Sequence, residues 1–346
     1  MRKKILKLGL FICFLFLISG CETKETGEEV SDGGSLYDQD DLAAENEDYI
    51  VVGYCQVGSE SDWRLASTES LREAFSSDQG YYLIYEDAQN KQENQLKAIR
   101  NFILQEVDYI ILDPIVETGW DAVLQEAKDA DIPVIVVDRQ VNVQDEDLYC
   151  CWVGSDFVRE GYRAGEWLDN YLNEQGRSEE NIQIVTLLGT LDSSAQIGRS
   201  KGFDQAMEEH QNWTMLEEES ADFTQAKARE VMDDILSRRE DIDVVVCQND
   251  NMAFGAVEAI QNAGRTCGPA GDIIIISFDG VQAALRAMME GEINVTFECN
   301  PHIGPLVSEI IQKLERGEEV EKIQYVEENY FDASMDLEKV IRDRTY

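Results

Sequence analysis

From Tyr49 onward the chain alternates between two textures, and this beat restricts its fold more than any other feature. Short runs rich in Ile and Val recur as YIVVGY (49–54), YYLIYE (81–86), DYIILD (108–113), IPVIVVD (132–138), IQIVTLL (182–188), DIDVVVC (241–247) and DIIIISF (272–278). Between them NQLKAIRNFIL, GWDAVLQEAKDA, YRAGEWLDNYL, AKAREVMDDIL and MAFGAVEAIQNA place apolar residues at helical spacing. Nearly continuous apolar strands suit a parallel sheet covered on both faces, and strand–helix alternation supplies the cover. The reading is α/β.

The beat breaks once, where QVNVQDEDLYCCWVGSD (140–156) stands in place of a helix. A new series of strand–helix units then begins. About 300 residues exceed what one ordinary core accommodates, so two lobes are expected, joined near Val153–Asp156 and again near Phe297–Asn300. The helical stretch PLVSEIIQKLERG (305–317) is expected to return to the first lobe. The expected division is 49–154 plus 300–320 for the first lobe and 155–299 plus 321–346 for the second.

The N-terminal residues have a different character. Arg2, Lys3, Lys4 and Lys7 precede the apolar run LGLFICFLFLIS, which ends in LISGC at Cys21. A basic start, a short apolar run and small residues before a cut define a secretory signal, here 1–20. The run is shorter than the roughly 20 residues a membrane span needs. LISGC resembles a bacterial lipobox, so Cys21 is expected to become a lipidated N-terminus holding the protein at the membrane. Residues 21–48 carry one lysine and eleven acids; such a segment buries too little apolar surface to fold and is expected to be a disordered tether.

The formal net charge of −41 repels phosphate backbones and argues against nucleic acid. Two histidines and no C-x-x-C leave little from which to build a zinc site or a histidine-based triad. The cysteines beyond Cys21 lie mostly in apolar runs, where a thiol behaves as a small hydrophobe. No metal and no cofactor are expected.

In open parallel sheets ligands bind beyond the carboxyl ends of the strands. The residues there are Gln56 to Arg64, Asp87, Gln89, Asn90, Asp113, Asp138, Arg139, Gln248, Asn249, Asp250 and Asp279. Neither G-x-G-x-x-G nor G-x-x-x-x-G-K-[ST] follows any of these strands, which disfavours nucleotides. A sugar fits this inventory. Carboxylates and amides take hydroxyl protons, arginines donate paired N–H groups, and the Trp63 indole covers the C–H face. Charge-assisted bonds of roughly 1.5–3 kcal/mol each bring such a site to about micromolar affinity. Each residue also has a plainer reading: Trp63 as core, Arg64 as a surface ion-pair partner, and Asp138 and Asp279 as helix N-caps.

Several segments together carry a resemblance: QVGSESDWR, KQENQLKAIRNF, ETGWDAVLQEAKDADIPV, DRQVNVQDEDLY, IGRSKGF, DFTQAKAREVM, NDNMAFGAVEAI and SFDGVQAALRAMMEGE. The chain resembles the periplasmic galactofuranose-binding proteins of ABC sugar importers, within the ribose/galactose-type sugar-binding family. The resemblance implies a type I periplasmic binding protein fold, two lobes closing on one sugar about a multi-crossing hinge, and no turnover. It implies ligand contacts from Glu60, Ser61, Asp62, Trp63 and Arg64, from Asp138 and Arg139, and from Arg199, Asn249 and Asp279. Asp87 joins this set from its strand end. The implied partners are a small sugar and a membrane permease, with the protein itself a monomer. Asp62 stands where the family has a small residue, and Phe278 where an aliphatic one is expected. Two other classes fit parts of the sequence: a glycosidase, since acid pairs are plentiful, and a sensor that presses its closed lobes on a membrane receptor.

Overall fold

The structure, a computed structural model, describes residues 49–346. The expected signal (1–20), tether (21–48) and lipidated Cys21 lie outside the described residues. Among the described residues no helix is long and apolar enough to cross a membrane.

The first lobe is built on strands β1 (Ile50–Gln56), β2 (Tyr81–Asp87), β3 (Tyr109–Leu112), β4 (Val134–Val137), β5 (Cys151–Gly154) and β11 (Ile323–Tyr325), ordered β11-β5-β4-β3-β1-β2 and all parallel. The second holds β6 (Ile182–Leu188), β7 (Trp213–Ser220), β8 (Val244–Cys247), β9 (Ile274–Asp279), β10 (Val295–Glu298) and β12 (Tyr330–Asp332), ordered β12-β10-β9-β8-β6-β7. Here β12 runs antiparallel to β10, so the second sheet is parallel except at one edge.

Strand alternation explains the cover. In the first sheet Cys55, Ile110, Leu112, Val134 and Val136 face one cluster, while Val52, Tyr54, Tyr109, Ile111, Ile135 and Val137 face another. Both faces are apolar because helices cover both. Helices α2 (Gln92–Leu104) and α3 (Asp121–Asp129) lie on one side. Helices α1 (Asp62–Ala74) and α9 (Gly304–Glu315) lie on the other. The second sheet is covered by α4 (Phe157–Glu174) and α5 (Ser194–Met207) on one side. On the other side lie α6 (Gln225–Arg238), α7 (Asp250–Asn262) and α8 (Gln282–Met289), with α10 (Leu337–Asp343) packed against α8.

One boundary differs from the sequence reading. Residues 321–346 do not all belong to the second lobe: β11 extends the first sheet beside β5, and only then does the chain cross to β12. The chain therefore passes between the lobes three times, at Ser155–Asp156, at Cys299–Asn300 and at Val326–Asn329. The third passage was hidden because three-residue edge strands carry almost no periodic signal. The long interruption at 140–156 contains the short strand β5, after which the chain first leaves this lobe; α9 and β11 return to it later.

Candidate functional site

Both sheets point their carboxyl ends at one cavity of about 320 Å³, lined by Glu60, Ser61, Trp63, Arg64, Asp138 and Arg139 from the first lobe. Phe157, Ala195, Arg199, Phe223, Asn249 and Asp279 line it from the second, with Cys299 at the crossing.

In the first lobe Ser61 caps α1, its hydroxyl accepting from the Arg64 N–H at 3.1 Å. The cap fixes the direction of the first turn, so Trp63 and Arg64 both turn inward while Asp62 stays exposed. Arg64 Nη1 donates to Asp113 at 2.5 Å and to Asp138 at 2.9 Å, and its Nε lies 3.4 Å from Glu60. Its guanidinium sits 4.8 Å from the Trp63 ring centre. Burial pushes the Asp113 carboxyl well above the usual range, and the Arg64 charge pulls against it. Arg139 donates to the Ile115 carbonyl at 2.9 Å, and burial, then Arg64, lowers its affinity for a proton.

In the second lobe Arg199 lies between the rings of Phe157 and Phe278, 5.3 and 4.9 Å from their centres. Its Nε donates to Glu160 at 2.7 Å and its Nη1 to the Gln248 carbonyl at 2.6 Å, while Nη2 stands 3.8 Å from Asp279. Burial raises Asp279 well above the carboxylate norm, against the pull of Arg199. Two glycines permit this approach. A Cβ on Gly161 would stand 2.1 Å from the Arg199 carbonyl oxygen, and one on Gly202 would stand 1.9 Å from that of Val158. Helices α4 and α5 thus touch backbone to backbone, which brings Glu160 beneath Arg199.

The two strand-end aspartates share a backbone feature. Asp138 has φ +56° and Asp279 φ +105°, values that non-glycine residues adopt at a cost of about 1–3 kcal/mol. The turn aims each carboxylate into the cleft. Asp138 is held in it by its N–H to the Val153 carbonyl at 2.9 Å and by the Trp152 indole on its own carbonyl at 3.0 Å. Neither aspartate caps a helix; among the described residues the side chains that cap α-helices are Ser61, Asp156, Ser193, Asn249 and Asp336.

The lobes meet around the cavity. Trp63 Nε1 donates to the Cys299 carbonyl at 2.6 Å, and its ring packs in the second lobe's core cluster. Arg139 lies 5.1 Å from the Phe223 ring centre. Gln140 N–H donates to Ser194 at 2.7 Å, and Glu117 N–H to the Asp192 carbonyl at 3.0 Å. This is a closed arrangement.

Of the residues expected at the site, nine line the cavity. Asp62 and Asp87 do not. They border a separate surface groove with Glu69, Arg72, Arg286 and Tyr346, and Asp87 accepts from the Gln89 N–H at 2.7 Å. Asp62 points outward because it occupies the first helical position after the Ser61 cap, and Asp87 because it ends β2, the edge strand. Asn249 lines the cavity with its side chain already engaged, Oδ1 capping α7 and Nδ2 donating to the Phe223 carbonyl at 3.2 Å. Asp250 is structural: it accepts from Ser277, Thr296 and the Val281 N–H, and burial brings it to about 6.

Asp113 and Glu160 were missed as site residues. Asp113 stands at its strand end in the sequence, but nothing local says that it supports Arg64. Glu160 lies within a helix, and only the glycine spacing of α4 and α5 hinted at what it meets. Phe278 replaces the expected aliphatic residue and stacks on Arg199.

One oxygen or sulfur atom from each of Glu160, Cys299 and Glu328 lies within 4.8 Å of the others. The donor set fits a metal poorly. Arg199 already holds Glu160, Glu328 accepts from Ser155 and the Asn300 N–H, and burial pushes the Cys299 thiol well up, away from thiolate. The six described cysteines are free thiols.

Residues 52–319 match the periplasmic binding protein domain family. The chain belongs to the periplasmic binding protein family. It is 39% identical over 270 residues to the galactofuranose-binding protein YtfQ of Escherichia coli K12, covering 77% of this chain and 82% of that one. Among solved structures, a Mycobacterium smegmatis protein in complex with β-D-fucofuranose superposes with a TM-score of 0.81 at 38% identity, over 85% of this chain and 94% of that one. The binding protein of the arabinose ABC transporter from Shewanella sp. ANA-3, bound to α- and β-L-arabinofuranose, superposes with a TM-score of 0.78 at 38% identity, over 86% and 99% of the two chains. The closed two-lobed layout is that of this family of binding proteins, which are not enzymes.

Proposed function

We propose that the protein is an extracytoplasmic, lipid-anchored solute-binding protein that captures one monosaccharide between its lobes and passes it to an ABC importer. The sugar is galactofuranose or a close furanose. The observation that carries this reading is a pair of unpaired buried polar atoms on two of the residues that line the cavity. Glu60 Oε2 and Arg139 Nε have no partner within the protein, although such atoms are nearly always paired when buried. Spare acceptor and donor capacity on residues of one small cavity suits a hydroxylated ligand, with Trp63 and Phe223 as apolar surfaces beside them.

Glu60 and Asp138 accept hydroxyl protons, Arg64, Arg139 and Arg199 donate, and Asp279 completes the cage from the second lobe. Asp113 holds Arg64 and Glu160 holds Arg199, which orders both donors before the ligand arrives and lowers the entropy cost of binding. Three relatives whose descriptions name furanose sugars support the ring form. Residues 1–20 serve as the signal, Cys21 as the lipidated end and 21–48 as the tether, with the binding domain acting as a monomer.

Calorimetric titration with methyl β-galactofuranoside, L-arabinose, D-galactose, D-ribose and D-glucose tests the ligand. Saturable heat with the furanoside and with sugars rich in furanose forms is expected, and little with glucose. Equal affinity for glucose, or no heat with any of them, rejects the furanose reading. Labelling with radioactive palmitate in cells, lost in Cys21→Ala, tests the anchor.

A further inference from the structure

The three passages between the lobes meet at one half-buried carboxyl group. Glu328, on the third passage, accepts from the Ser155 hydroxyl of the first and from the Asn300 N–H of the second, the latter at 3.0 Å. Ser155 Oγ lies 3.2 Å from Cys299 Sγ. A hinge usually needs no such knot, since each passage turns about its own backbone. Here one side chain ties all three.

Glu160 faces the same knot from α4, with one oxygen inside the 4.8 Å cluster of Glu160, Cys299 and Glu328. Its Oε2 holds Arg199, which lines the cavity, while Oε1 has no partner and the residue is only 3% exposed. The hinge thus connects to the ligand wall by a chain of contacts: Glu328, Glu160, Arg199, cavity.

The charges around this chain do not balance if both glutamates are ionised. Arg199 is the cation that faces them from α5, while Cys299 presents a neutral thiol, Asp138 adds negative charge from the cavity side, and Asp279, raised by its own burial, stands beyond Arg199. On the solvent side Asp156 at the head of α4, Arg159 and Arg163 of α4, Tyr325 of β11 and Glu327 of the third passage line a groove that reaches Glu160 and Glu328. One arginine neutralises one carboxylate, and two close carboxylates cannot both ionise at low cost.

We propose that Glu160 and Glu328 share one proton in the closed molecule, and that closing the hinge takes this proton up, so ligand capture is coupled to pH through the hinge. The coupling rests on the ligand-capture reading above. Burial and then the Glu160 charge push Glu328 up to about 9, and burial raises Glu160 too, against Arg199. When the hinge opens, the passages separate and Glu328 meets water through the groove, where a carboxyl group loses its proton near pH 4.3. The sign follows. Closure is most favourable at low pH, and it weakens as pH rises from the open-state value towards about 9. Affinity falls in the same direction, by up to about tenfold per pH unit for one proton.

The test compares the purified wild-type protein with Glu328→Gln. Glutamine keeps the oxygen that accepts from Ser155 and Asn300 and remains neutral at every pH. Calorimetry with methyl β-galactofuranoside at pH 6, 7, 8 and 9, each in two buffers of different ionisation enthalpy, counts protons taken up per ligand. The wild type should take up close to one proton near pH 7–8 and lose affinity as pH rises, while Glu328→Gln takes up none and stays flat. A wild type without uptake, or a variant with the wild-type slope, overturns the proposal.

Should no sugar bind at any pH, the capture reading fails, and small-angle X-ray scattering of the unliganded proteins still decides the shared proton. Glu328 is raised in the closed form, so closure is most favoured at low pH and weakens as pH rises towards about 9. The wild-type radius of gyration should therefore grow between pH 6 and 9 while that of Glu328→Gln stays constant; identical pH dependence in the two proteins rejects the proposal.

Discussion

Each lobe presents a buried arginine to the cavity, and the two are held differently. Arg64 is gripped by carboxylates that sit at strand ends or beside them: Asp113 after β3, Asp138 after β4 and Glu60 after β1. Arg199 comes from within a helix and is gripped by Glu160 of a neighbouring helix, a backbone carbonyl and two aromatic rings. The first grip is a rigid strand-end scaffold. The second depends on how α4 packs on α5, and it continues into the hinge. One lobe is therefore suited to hold a ligand in a fixed pose, and the other to report that the ligand is there.

The comparison breaks most visibly on removing the arginines. Arg64→Met strands Asp113, which is fully buried, beside Asp138 and Glu60. The expected loss is about 3–5 kcal/mol of stability, as when one partner of a buried pair is deleted. Arg199→Met should lose less, because Glu160 can take a proton within the Glu328 cluster. Urea unfolding at pH 7 measures both; a larger loss for Arg199→Met would mean that the second grip is the rigid one.

The helix contact sharpens the comparison next. Gly161→Ala forces a methyl group against the Arg199 carbonyl and should cost about 1–3 kcal/mol together with a clear loss of ligand affinity. Gly304→Ala meets the Ser70 carbonyl at the same 2.1 Å, but in the first lobe away from the cavity, and should cost stability while the folded fraction binds normally. Equal affinities in the two variants would show that α4–α5 packing does not position Arg199.

The smallest effects belong to Asp62→Asn and Asp87→Asn. Neither side chain lines the cavity, so each should alter binding free energy by no more than about 0.5 kcal/mol. A larger change in calorimetric affinity would return the Glu60–Arg64 loop as a whole to the site.

These contrasts also explain what was legible. Strand ends are legible because parallel strands buried on both faces appear as unbroken Ile/Val runs, and the next polar residue stands at the carboxyl end; Asp138, Arg139 and Asp279 stand there and line the cavity. Asp87 was read by the same rule and lies outside the cavity, because the rule cannot tell an edge strand from a central one. Asp62 shows a finer limit. One position separates it from Trp63, and the Ser61 cap decides which residues of the first turn face inward. Glu160 could not be found from α4 alone, since its partner lies 39 residues away.

What the amino-acid order determined by itself was the alternation of strands and helices, the break that separates two lobes, and the chemical inventory at the strand ends. Those follow from local periodicity and from the burial that a covered parallel sheet demands. The tertiary structure alone decided which acids support which arginines, how β11 returns to the first sheet, and that three separate passages meet at Glu328. Those are contacts between residues distant in the chain, and their existence depends on packing distances that no local pattern encodes.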